Sequence, residues 1–406
     1  MYIRRHAEGA LKELSSMFGA VLVTGPRQVG KTTMLKRFAD HAAYVTLDDP
    51  LLLATAKGQS ATFFKDNPPP IFIDEVQYAP ELFPHIKIII DRDKKKGQFF
   101  MSGSQQFHLM RDVTESLAGR IGLLTLLGLS LREKGGLDFT EAFIPNNTYF
   151  ENRRGQETKF SYDDVWYNIH RGSMPELAVN DFDWQMYYGS YVKTYIERDV
   201  RQLTQVGDEL KFLNFMTLIA GRTGQLLNLA SLARDVGVSA PTAERWLSIL
   251  VTSNIVYLLR PYHNNLGKRT VKTPKLYFLD TGLAAYLTKW NTAEVLKNGA
   301  MAGAFFESFV ISEIIKSFYN KGVMDLPVYF YRDSNMTEID LLIEDGGVLH
   351  PIEIKKHADP SQKDLASFAV LDKIPGIKRG PGGVVCMYDR LLTLSGEDRV
   401  IPINMI

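Results

Sequence analysis

The stretch GPRQVGKT, at residues 25–32, decides the fold of the first part of the chain. It follows the apolar run AVLVT at residues 20–24 and precedes the helical pattern TTMLKRFAD. A strand, a glycine-containing loop and a helix in this order are typical of a phosphate-binding loop. The glycines let main-chain N–H groups turn toward the phosphates, and the helix N-terminus adds positive potential. We therefore predict that this region binds ATP with Mg²⁺.

The positions of this loop have separate expected roles. Lys31 should contact the β and γ phosphates, and Thr32 should bind Mg²⁺. A chance Gly-Lys-Thr loop is the alternative, but the flanking strand and helix disfavour it. The predicted nucleotide-binding residues are Gly25, Pro26, Arg27, Gln28, Val29, Gly30, Lys31, Thr32, Thr33 and, later in the chain, Ser104.

An acidic motif, IFIDEVQ at residues 71–77, supplies the second part of the predicted site. It reads as a buried strand that ends in Asp74 and Glu75. Asp74 would complete the Mg²⁺ site, while Glu75 would orient or deprotonate the attacking water as the catalytic base. An Asp-Glu pair favours hydrolysis over phosphoryl transfer to a small acceptor. A solvated acidic strand end is the alternative interpretation.

Two later segments hold further candidates. The predicted strand QFFMSGSQQ ends in Ser102 and Ser104, which could sense the γ phosphate, although a plain turn is the alternative. Arg120 precedes an apolar strand and could neutralise negative charge in the transition state, with Arg111 as a rival. A surface salt bridge is the other interpretation of Arg120. If Arg120 acts in trans, the active form is a homo-oligomer, whereas a monomer suffices in cis.

Composition and pattern set the wider expectations. A chain of 406 residues with 45% hydrophobic and 23% charged residues is typical of globular proteins with roughly two to four domains. Up to residue 132, apolar runs alternate with helical patterns, which predicts a parallel sheet flanked by helices. The predicted domains are a P-loop core at 1–132, a helical region at 133–206, a winged helix-turn-helix at 207–290 and an α/β domain at 300–406.

Charge and cysteine content limit the partners and the compartment. The formal net charge of +1 predicts that any nucleic-acid surface is local. The single Cys386 cannot form an internal disulfide, which fits a reducing compartment. The longest apolar stretch is about half of a bilayer span. We therefore expect a cytoplasmic protein that has no membrane contact.

The middle of the chain has the pattern of a helix-turn-helix. A first helix would end at Gly237, and Ser239 would cap a second helix that points Thr242 and Arg245 outward as a recognition helix. A predicted hairpin follows, and its tip adds cations that would contact phosphates. These cations are Lys268, Arg269, Lys272 and Lys275. DNA is the expected partner, as a duplex, a branched form or an end, and a protein-interaction spacer is the alternative.

Acidic and basic side chains form a second candidate site near the C-terminal end. Glu307 lies in a predicted helix, Asp340 in a strand, and Glu353 and Lys355 on one face of the next strand. A turn at residues 345–347 would bring Asp340 beside Glu353. The three carboxylates would bind a divalent metal, and Lys355 would position hydroxide. An ion-paired strand face in a non-catalytic binding domain is the alternative.

The N-terminal motifs carry a family resemblance. GPRQVGKTT, IFIDEVQ, SGSQQ and SLAGRI together resemble the AAA-type ATPases of bacteria and archaea whose C-terminal part is a domain of unknown function. The resemblance implies an ATPase core. It extends more weakly over RGSMPEL at residues 171–177, where Ser173 stands in place of the glycine usual in the family, and over residues 191–200.

The C-terminal pattern carries a second resemblance. The order of helix and strands around Asp340, with IEIKK in place of the E-x-K element, resembles the PD-(D/E)xK restriction-endonuclease-like superfamily. The resemblance implies metal-dependent cleavage of a phosphodiester by Asp340, Glu353 and Lys355. Such domains also persist as inactive binding scaffolds.

These patterns together predict an ATP-hydrolysing protein that acts on DNA and whose C-terminal domain binds or cleaves nucleic acid with Mg²⁺. A nucleotide-switched regulatory protein, whose C-terminal domain only binds a partner, is the alternative. A small-molecule kinase is a third hypothesis, but Glu75 and the large appended domains argue against it.

Overall fold

The N-terminal part of the chain is a five-stranded parallel sheet, as the alternating pattern predicted. The computed structural model describes residues 2–103, 116–195, 209–262 and 273–406. The spatial order of the strands is β2-β3-β4-β1-β5. They are β1 (Ala20–Thr24), β2 (Ala43–Thr46), β3 (Ile71–Asp74), β4 (Phe99–Gly103) and β5 (Ile121–Thr125).

Helices cover both faces of this sheet because its strands are apolar on both sides. Val21 and Val23 face a core that includes side chains of α1 (Ala7–Met17) and α2 (Lys31–Phe38). Leu22 faces a second core, which is filled by the helices that follow. These are α3 (Pro50–Gly58), α4 (Ser60–Asp66) and α5 (Leu82–Asp93).

The strand order positions the candidate site. Strand β4 lies between β1 and β3, so the segments after all three strands meet at the carboxyl edge of the sheet. The loop at residues 25–30 follows β1 at this edge, and Asp74 ends β3.

A helical region follows the sheet. It contains α6 (Leu131–Lys134), α7 (Asn147–Arg153), α8 (Tyr162–Arg171), α9 (Pro175–Val179) and α10 (Trp184–Tyr195). The predicted domain boundary at residue 132 falls inside α6, which is held by a capping box between Ser130 and Glu133. The sequence signal for α6 is this capping pair.

The middle of the chain has the predicted two helices and hairpin. The elements are α11 (Glu209–Ala220), β6 (Gln225–Leu226), α12 (Leu229–Val236), α13 (Ala240–Thr252), β7 (Val256–Leu259) and β8 (Lys275–Phe278). Gly237 has a φ of +72° and ends α12, and Ser239 caps α13 by accepting from Thr242 N. The three strands form an antiparallel sheet in the order β6-β8-β7.

The C-terminal part begins with three helices and ends in a seven-stranded sheet. The helices are α14 (Thr281–Leu287), α15 (Ala293–Asn298) and α16 (Ala302–Asn320). The strands are β9 (Val328–Arg332), β10 (Glu338–Asp345), β11 (Val348–Ile354), β12 (Lys378–Arg379), β13 (Gly383–Cys386), β14 (Leu392–Ser395) and β15 (Asp398–Pro402). The predicted turn after Asp345 joins β10 to β11 as an antiparallel pair.

One apolar core connects these parts. It runs from Val21 in the first sheet through Trp246 in the middle segment to Ile401 in the last sheet. The predicted class, α/β with a parallel N-terminal sheet and a separate C-terminal sheet, is confirmed. None of the described helices combines the length and apolarity needed to cross a bilayer.

Candidate functional site

The loop after β1 has the backbone geometry of a phosphate-binding loop. Gly25 has a φ of +138°, and a Cβ there would lie 1.9 Å from the carbonyl oxygen of Leu126, so only glycine fits. Gly30 has a φ of +91° and precedes α2. The loop therefore ends at a helix N-terminus, where main-chain N–H groups are available to an anion.

Lys31 is the first residue of α2, and its side chain folds back over the loop. Its Nζ donates to the carbonyl oxygens of Gly25 at 2.9 Å and Pro26 at 2.6 Å. Both acceptors are neutral, so these contacts orient the ammonium group without cancelling its charge. These contacts place the Lys31 ammonium group over the loop, in the lining of the cavity that an incoming phosphate would enter.

Asp74 is the point at which four elements converge. Thr32 Oγ1 lies 3.0 Å from each Asp74 carboxylate oxygen, and Tyr44 donates to the same carboxylate at 3.2 Å. Ser102, on the strand between β1 and β3, also donates to Asp74. A hydroxyl and a carboxylate side by side suit Mg²⁺, so Thr32 and Asp74 fit the predicted metal.

Glu75 adopts a left-handed backbone conformation directly after β3, with a φ of +57°. This conformation is uncommon for a residue with a side chain, and such residues concentrate at functional sites. The Gln77 amide donates to the Glu75 carboxylate. Glu75 lines the cavity over the loop, as a base that activates water would have to do.

A cavity of about 610 Å³ lies over the loop, which is in the size range of small-ligand sites. One wall consists of the predicted nucleotide-binding residues. They are Arg27, Gln28, Val29, Gly30, Lys31, Thr32 and Thr33. Gly25 and Pro26 lie behind this wall and hold Lys31.

The rest of the lining comes from segments that sequence patterns did not connect to the site. Ile3, Leu129, Pro175 and Val179 give it apolar side chains that suit a purine ring. Tyr187 on α10 donates to Gln28 Oε1 at 2.8 Å and so joins α10 to the loop.

The C-terminal candidates also meet in space. Lys355 Nζ lies 2.8 Å from Glu353 Oε2 and 3.5 Å from Asp340 Oδ2. The main-chain N–H of Ile354 donates to Asp340 Oδ2 at 2.9 Å, and Ser367 donates to Glu353 Oε1 at 2.7 Å. Burial and the neighbouring Asp340 charge raise the pKa of Glu353 to about 8.

Lys275 on β8 lies inside this cluster. Its Nζ is 2.5 Å from Glu338 Oε1, 3.3 Å from Glu307 Oε1 and 4.0 Å from Asp340 Oδ1. Only 4% of its side chain is exposed. Burial disfavours the charged ammonium, but the surrounding carboxylates outweigh burial and raise the pKa of Lys275. The expectation that Lys275 contacts phosphate is therefore wrong.

The cluster does not fit the metal that the sequence predicted. The ammonium of Lys275 lies near both Glu307 and Asp340, at 3.3 and 4.0 Å, and Tyr277 donates to Glu307 Oε1 at 2.5 Å. Within residues 2–103, 116–195, 209–262 and 273–406, no group of three or more His, Cys, Asp or Glu side chains is arranged to hold a metal. Glu307, Asp340 and Glu353 are thus brought near one another in a cluster that also contains Lys275 and Lys355.

The outward face of α13 is mixed in charge. Arg245 is exposed, as predicted, but Glu244 is exposed beside it. Thr242 is half-buried, and its hydroxyl is hydrogen-bonded to Ser239 at 2.8 Å. The opposite face of α13 carries Ala243, Trp246, Leu247 and Leu250, which are buried.

Three family models match successive parts of the chain. Residues 18–134, which contain the loop, Asp74 and Glu75, match the model described as an AAA domain. Residues 18–134 form a P-loop ATPase domain of the AAA type. Residues 162–294 match Domain of unknown function (DUF8612), and residues 302–406 match Domain of unknown function (DUF4143).

Relatives extend beyond the ATPase domain. The uncharacterized proteins Rv2008c of Mycobacterium tuberculosis and Mb2031c of Mycobacterium bovis are each 29% identical over 424 residues, covering 98% of this chain and 87% of the relative. Among solved structures, the Walker-type ATPase paby2304 of Pyrococcus abyssi has 14% identity and a TM-score of 0.44, covering 71% of this chain and 96% of that chain. The RuvB Holliday junction branch migration motor of Thermotoga maritima has 17% identity and a TM-score of 0.29, covering 62% and 86%.

Arg120 lies at the opposite edge of the ATPase sheet from the nucleotide cavity. It immediately precedes β5, whose amino end pairs with the amino end of β1, whereas the phosphate-binding loop follows the carboxyl end. Its guanidinium pairs with Asp91 on α5 at 2.6 and 3.0 Å. The structure therefore does not bring Arg120 to the nucleotide site of its own chain.

Several predicted residues lie outside the described part of the chain. Ser104, together with the rival arginine Arg111, belongs to residues 104–115. The remaining hairpin cations, Lys268, Arg269 and Lys272, belong to residues 263–272. Their predicted roles stay predictions.

A buried polar network that sequence reasoning missed joins the ATPase domain to α16. Leu131 N donates to Glu313 Oε2 at 2.8 Å, and Lys316 donates to Leu129 O at 3.1 Å. Lys316 and Glu313 are themselves paired at 2.8 Å. The available sequence signal was a pair of charges three residues apart on an otherwise apolar helix.

Ser173, the departure from the family pattern, belongs to a neighbouring part of this network. Its carbonyl oxygen accepts from Leu129 N at 2.7 Å, and its hydroxyl donates to Asp280 Oδ2 at 2.6 Å. A Cβ on Gly128 would lie 2.2 Å from the Ser173 hydroxyl oxygen. The two segments approach each other closely here. A glycine at position 173 would allow this contact, and in this chain the absence of a side chain at Gly128 allows it instead.

Proposed function

We propose that this chain is a Mg²⁺-dependent ATPase that acts on DNA and passes its nucleotide state to its C-terminal domain. Thr32 and Asp74 would hold the magnesium ion, which supplies charge neutralisation at the phosphates when bound. Lys31 would turn from the carbonyl oxygens of Gly25 and Pro26 to the β and γ phosphates. Glu75 would orient the water that attacks the γ phosphate.

The network between the nucleotide cavity and α16 carries this proposal. Leu129 lines the cavity and its carbonyl oxygen accepts from Lys316 on α16, while Leu131 N donates to Glu313 on the same helix. The same helix carries Glu307 of the C-terminal cluster. A movement of the segment on nucleotide binding would therefore shift a helix that belongs to the C-terminal domain.

The helix-turn-helix supports DNA as the partner. Helices α12 and α13 are followed by a hairpin whose strands, β7 and β8, bracket residues 263–272 in sequence. We propose a winged helix in which Arg245, Thr242 and the hairpin cations Lys268, Arg269 and Lys272 contact the phosphates and base edges of a duplex.

Fluorescence anisotropy with a labelled DNA duplex at two salt concentrations tests this proposal. Arg245→Ala and a Lys268→Ala/Arg269→Ala double variant should weaken binding and reduce its salt dependence by about one unit of slope for each lost phosphate contact. Arg92→Ala is the matched control, because Arg92 is an exposed arginine on α5 of the ATPase domain. Equal weakening by all three variants, or no binding by the wild type, contradicts DNA as the partner.

Cleavage is the stronger form of the proposal. It assigns catalysis to Asp340, Glu353 and Lys355, and it requires Lys275 to leave the cluster first. A plasmid and a linear duplex incubated with protein and Mg²⁺ or Mn²⁺, with and without ATP, test it. Cleavage that disappears in Asp340→Ala and in Lys355→Ala supports a nuclease, whereas intact substrate under every condition rejects it.

A regulatory ATPase whose C-terminal domain only binds a partner is the second candidate. The position of Lys275 favours it, because the cluster carries its own cation and needs no metal. This candidate predicts ATP-dependent partner binding that is unchanged in Asp340→Asn and is lost in Lys31→Ala.

A further inference from the structure

Arg5 precedes α1 and is buried beside the phosphate-binding loop, with 3% of the residue exposed. Its guanidinium reaches three separate segments. Nη1 donates to the carbonyl oxygen of Val29 at 2.7 Å, and Nη2 donates to that of Leu127 at 2.7 Å. Nε donates to Glu133 Oε1 at 3.0 Å. The planar, forked donor group of arginine suits such a set of contacts, which a single ammonium group could not make together.

The charge of Arg5 is already matched. Glu133 is buried, and it also accepts from the main-chain N–H groups of His6 at 2.8 Å and Ser130 at 2.8 Å. Burial favours the neutral acid, but Arg5, His6 and these N–H donors outweigh burial and lower the pKa of Glu133. The carboxylate is thus ionised and balances the guanidinium. Arg5 therefore acts on the loop through its hydrogen bonds and adds little net charge to the site.

The bond from Arg5 to Val29 fixes one peptide unit of the loop. In a trans peptide the C=O and the following N–H point in opposite directions. Because the Val29 C=O points to Arg5, the Gly30 N–H must point away from it. Gly30 has a φ of +91°, and both residues line the nucleotide cavity. The orientation of an N–H donor next to the predicted phosphate position thus depends on Arg5.

We propose that Arg5 is a positioning residue for the nucleotide site, which holds the Val29–Gly30 peptide in the orientation that binds phosphate. Through Leu127 O and Glu133, the same side chain ties the loop to the segment that contacts α16. This inference rests on the proposed nucleotide site and deepens it. It makes the segment before α1 part of the binding site.

The test compares Arg5→Lys and Arg5→Met with Arg4→Met in the full chain. Arg4 is the neighbouring arginine, but it is 70% exposed and pairs with Asp138 at the surface. The Kd for MgADP is measured by isothermal titration calorimetry. We expect both Arg5 variants to raise this Kd at least about tenfold, because misplaced donors lose most of their contribution to binding, and Arg4→Met to leave it within about twofold. Arg5→Lys is the decisive variant. It keeps the positive charge and the pair with Glu133, but it loses the separate Nη1 and Nη2 donors that reach Val29 and Leu127.

A second readout separates positioning from general stability. The shift in Tm caused by saturating MgADP should shrink in Arg5→Lys, whereas a purely structural role would lower the Tm of the nucleotide-free protein and leave that shift unchanged. A wild-type Kd in Arg5→Lys, or an unchanged nucleotide-induced shift, overturns the inference. Wild-type protein that binds MgADP but does not hydrolyse ATP contradicts the proposed ATPase function, and the comparison of Kd values still decides the role of Arg5.

Discussion

Two lysines illustrate how differently this chain uses the same side chain. Lys31 in the ATPase domain is held by the carbonyl oxygens of Gly25 and Pro26 and faces a cavity of about 610 Å³. Lys275 in the C-terminal cluster is held by the carboxylates of Glu338 and Glu307. Carbonyl oxygens orient a cation, whereas carboxylates also compensate its charge. The first arrangement is poised to bind an anion, and the second is complete without a ligand.

The largest effect is expected for Lys275→Met. Removing one partner from a buried charge cluster leaves carboxylates uncompensated and typically costs about 3–5 kcal/mol of unfolding free energy. Lys31→Met should cost clearly less, because the Lys31 side chain lines the cavity over the loop, whereas Lys275 lies inside the carboxylate cluster. Urea unfolding measures both variants, and a Lys275→Met/Glu338→Gln double variant should recover part of the loss. If Lys275→Met is as stable as the wild type, Lys275 does not compensate the buried carboxylates and the proposed difference between the two lysines is wrong.

Lys31→Ala should give the next largest effect, on catalysis. Loss of a preorganised charged contact to the transferred phosphoryl group should lower the ATPase kcat/KM by about 10²–10³-fold. Release of inorganic phosphate measures this, and Lys12→Ala on the exposed face of α1 is the control. Hydrolysis that persists in Lys31→Ala means that the cavity over the loop is not the catalytic site.

A smaller effect should distinguish the nucleotide site, as a metal site, from the C-terminal cluster. Thr32→Val should weaken nucleotide-dependent Mn²⁺ binding at least about tenfold, because a hydroxyl of the metal site is lost. Asp340→Asn should leave Mn²⁺ binding unchanged, because Lys275 already occupies that cluster. Electron paramagnetic resonance of free and bound Mn²⁺ reports both values. A loss of bound Mn²⁺ in Asp340→Asn would show that the C-terminal cluster also binds metal and would contradict this prediction.

The smallest effect on stability should come from the pair of Arg120 with Asp91, which belongs to neither site. Asp91→Asn should leave the Tm unchanged, because the Arg120–Asp91 pair is exposed. Since Arg120 is remote from the cavity of its own chain, we predict that any catalytic role is in trans. Mixing Arg120→Ala with Lys31→Ala protein should then restore ATPase activity, and a mixture as inactive as its components contradicts this role.

The features that sequence predicted well are local. The strand, loop and helix around Lys31 are contiguous, so their spacing alone defines the loop. Predicting that Asp74 and Glu75 lie beside this loop needed one more step, because it required a parallel sheet. The alternation of strands and helices predicted that sheet. The pairing of Asp340 with Glu353 followed from a short turn between two strands.

The features that sequence missed depend on distant segments. Arg5 lies 122 residues from Leu127 and 128 from Glu133, and nothing in the local pattern marks it. Lys275 was grouped with nearby hairpin cations because it follows them in sequence. Its strand offered a signal, since Lys275 and Tyr277 alternate with apolar residues and must share one face of β8. Recognising that this face meets Glu307 required the packing of β8 against α16.

Helix α16 has a consequence for where this chain can be divided. The segment that recurs as a sequence family begins at residue 302, at the start of this helix. Severed there, the fragment would retain Glu313 and Lys316 but lose Leu131 N and Leu129 O, their partners in the ATPase domain. Its last residues would also lose Tyr149 and Arg153, which donate to Met405 O. The recurring segment therefore does not contain all the partners of its own buried polar groups, and the chain cannot be divided at residue 302 without exposing them.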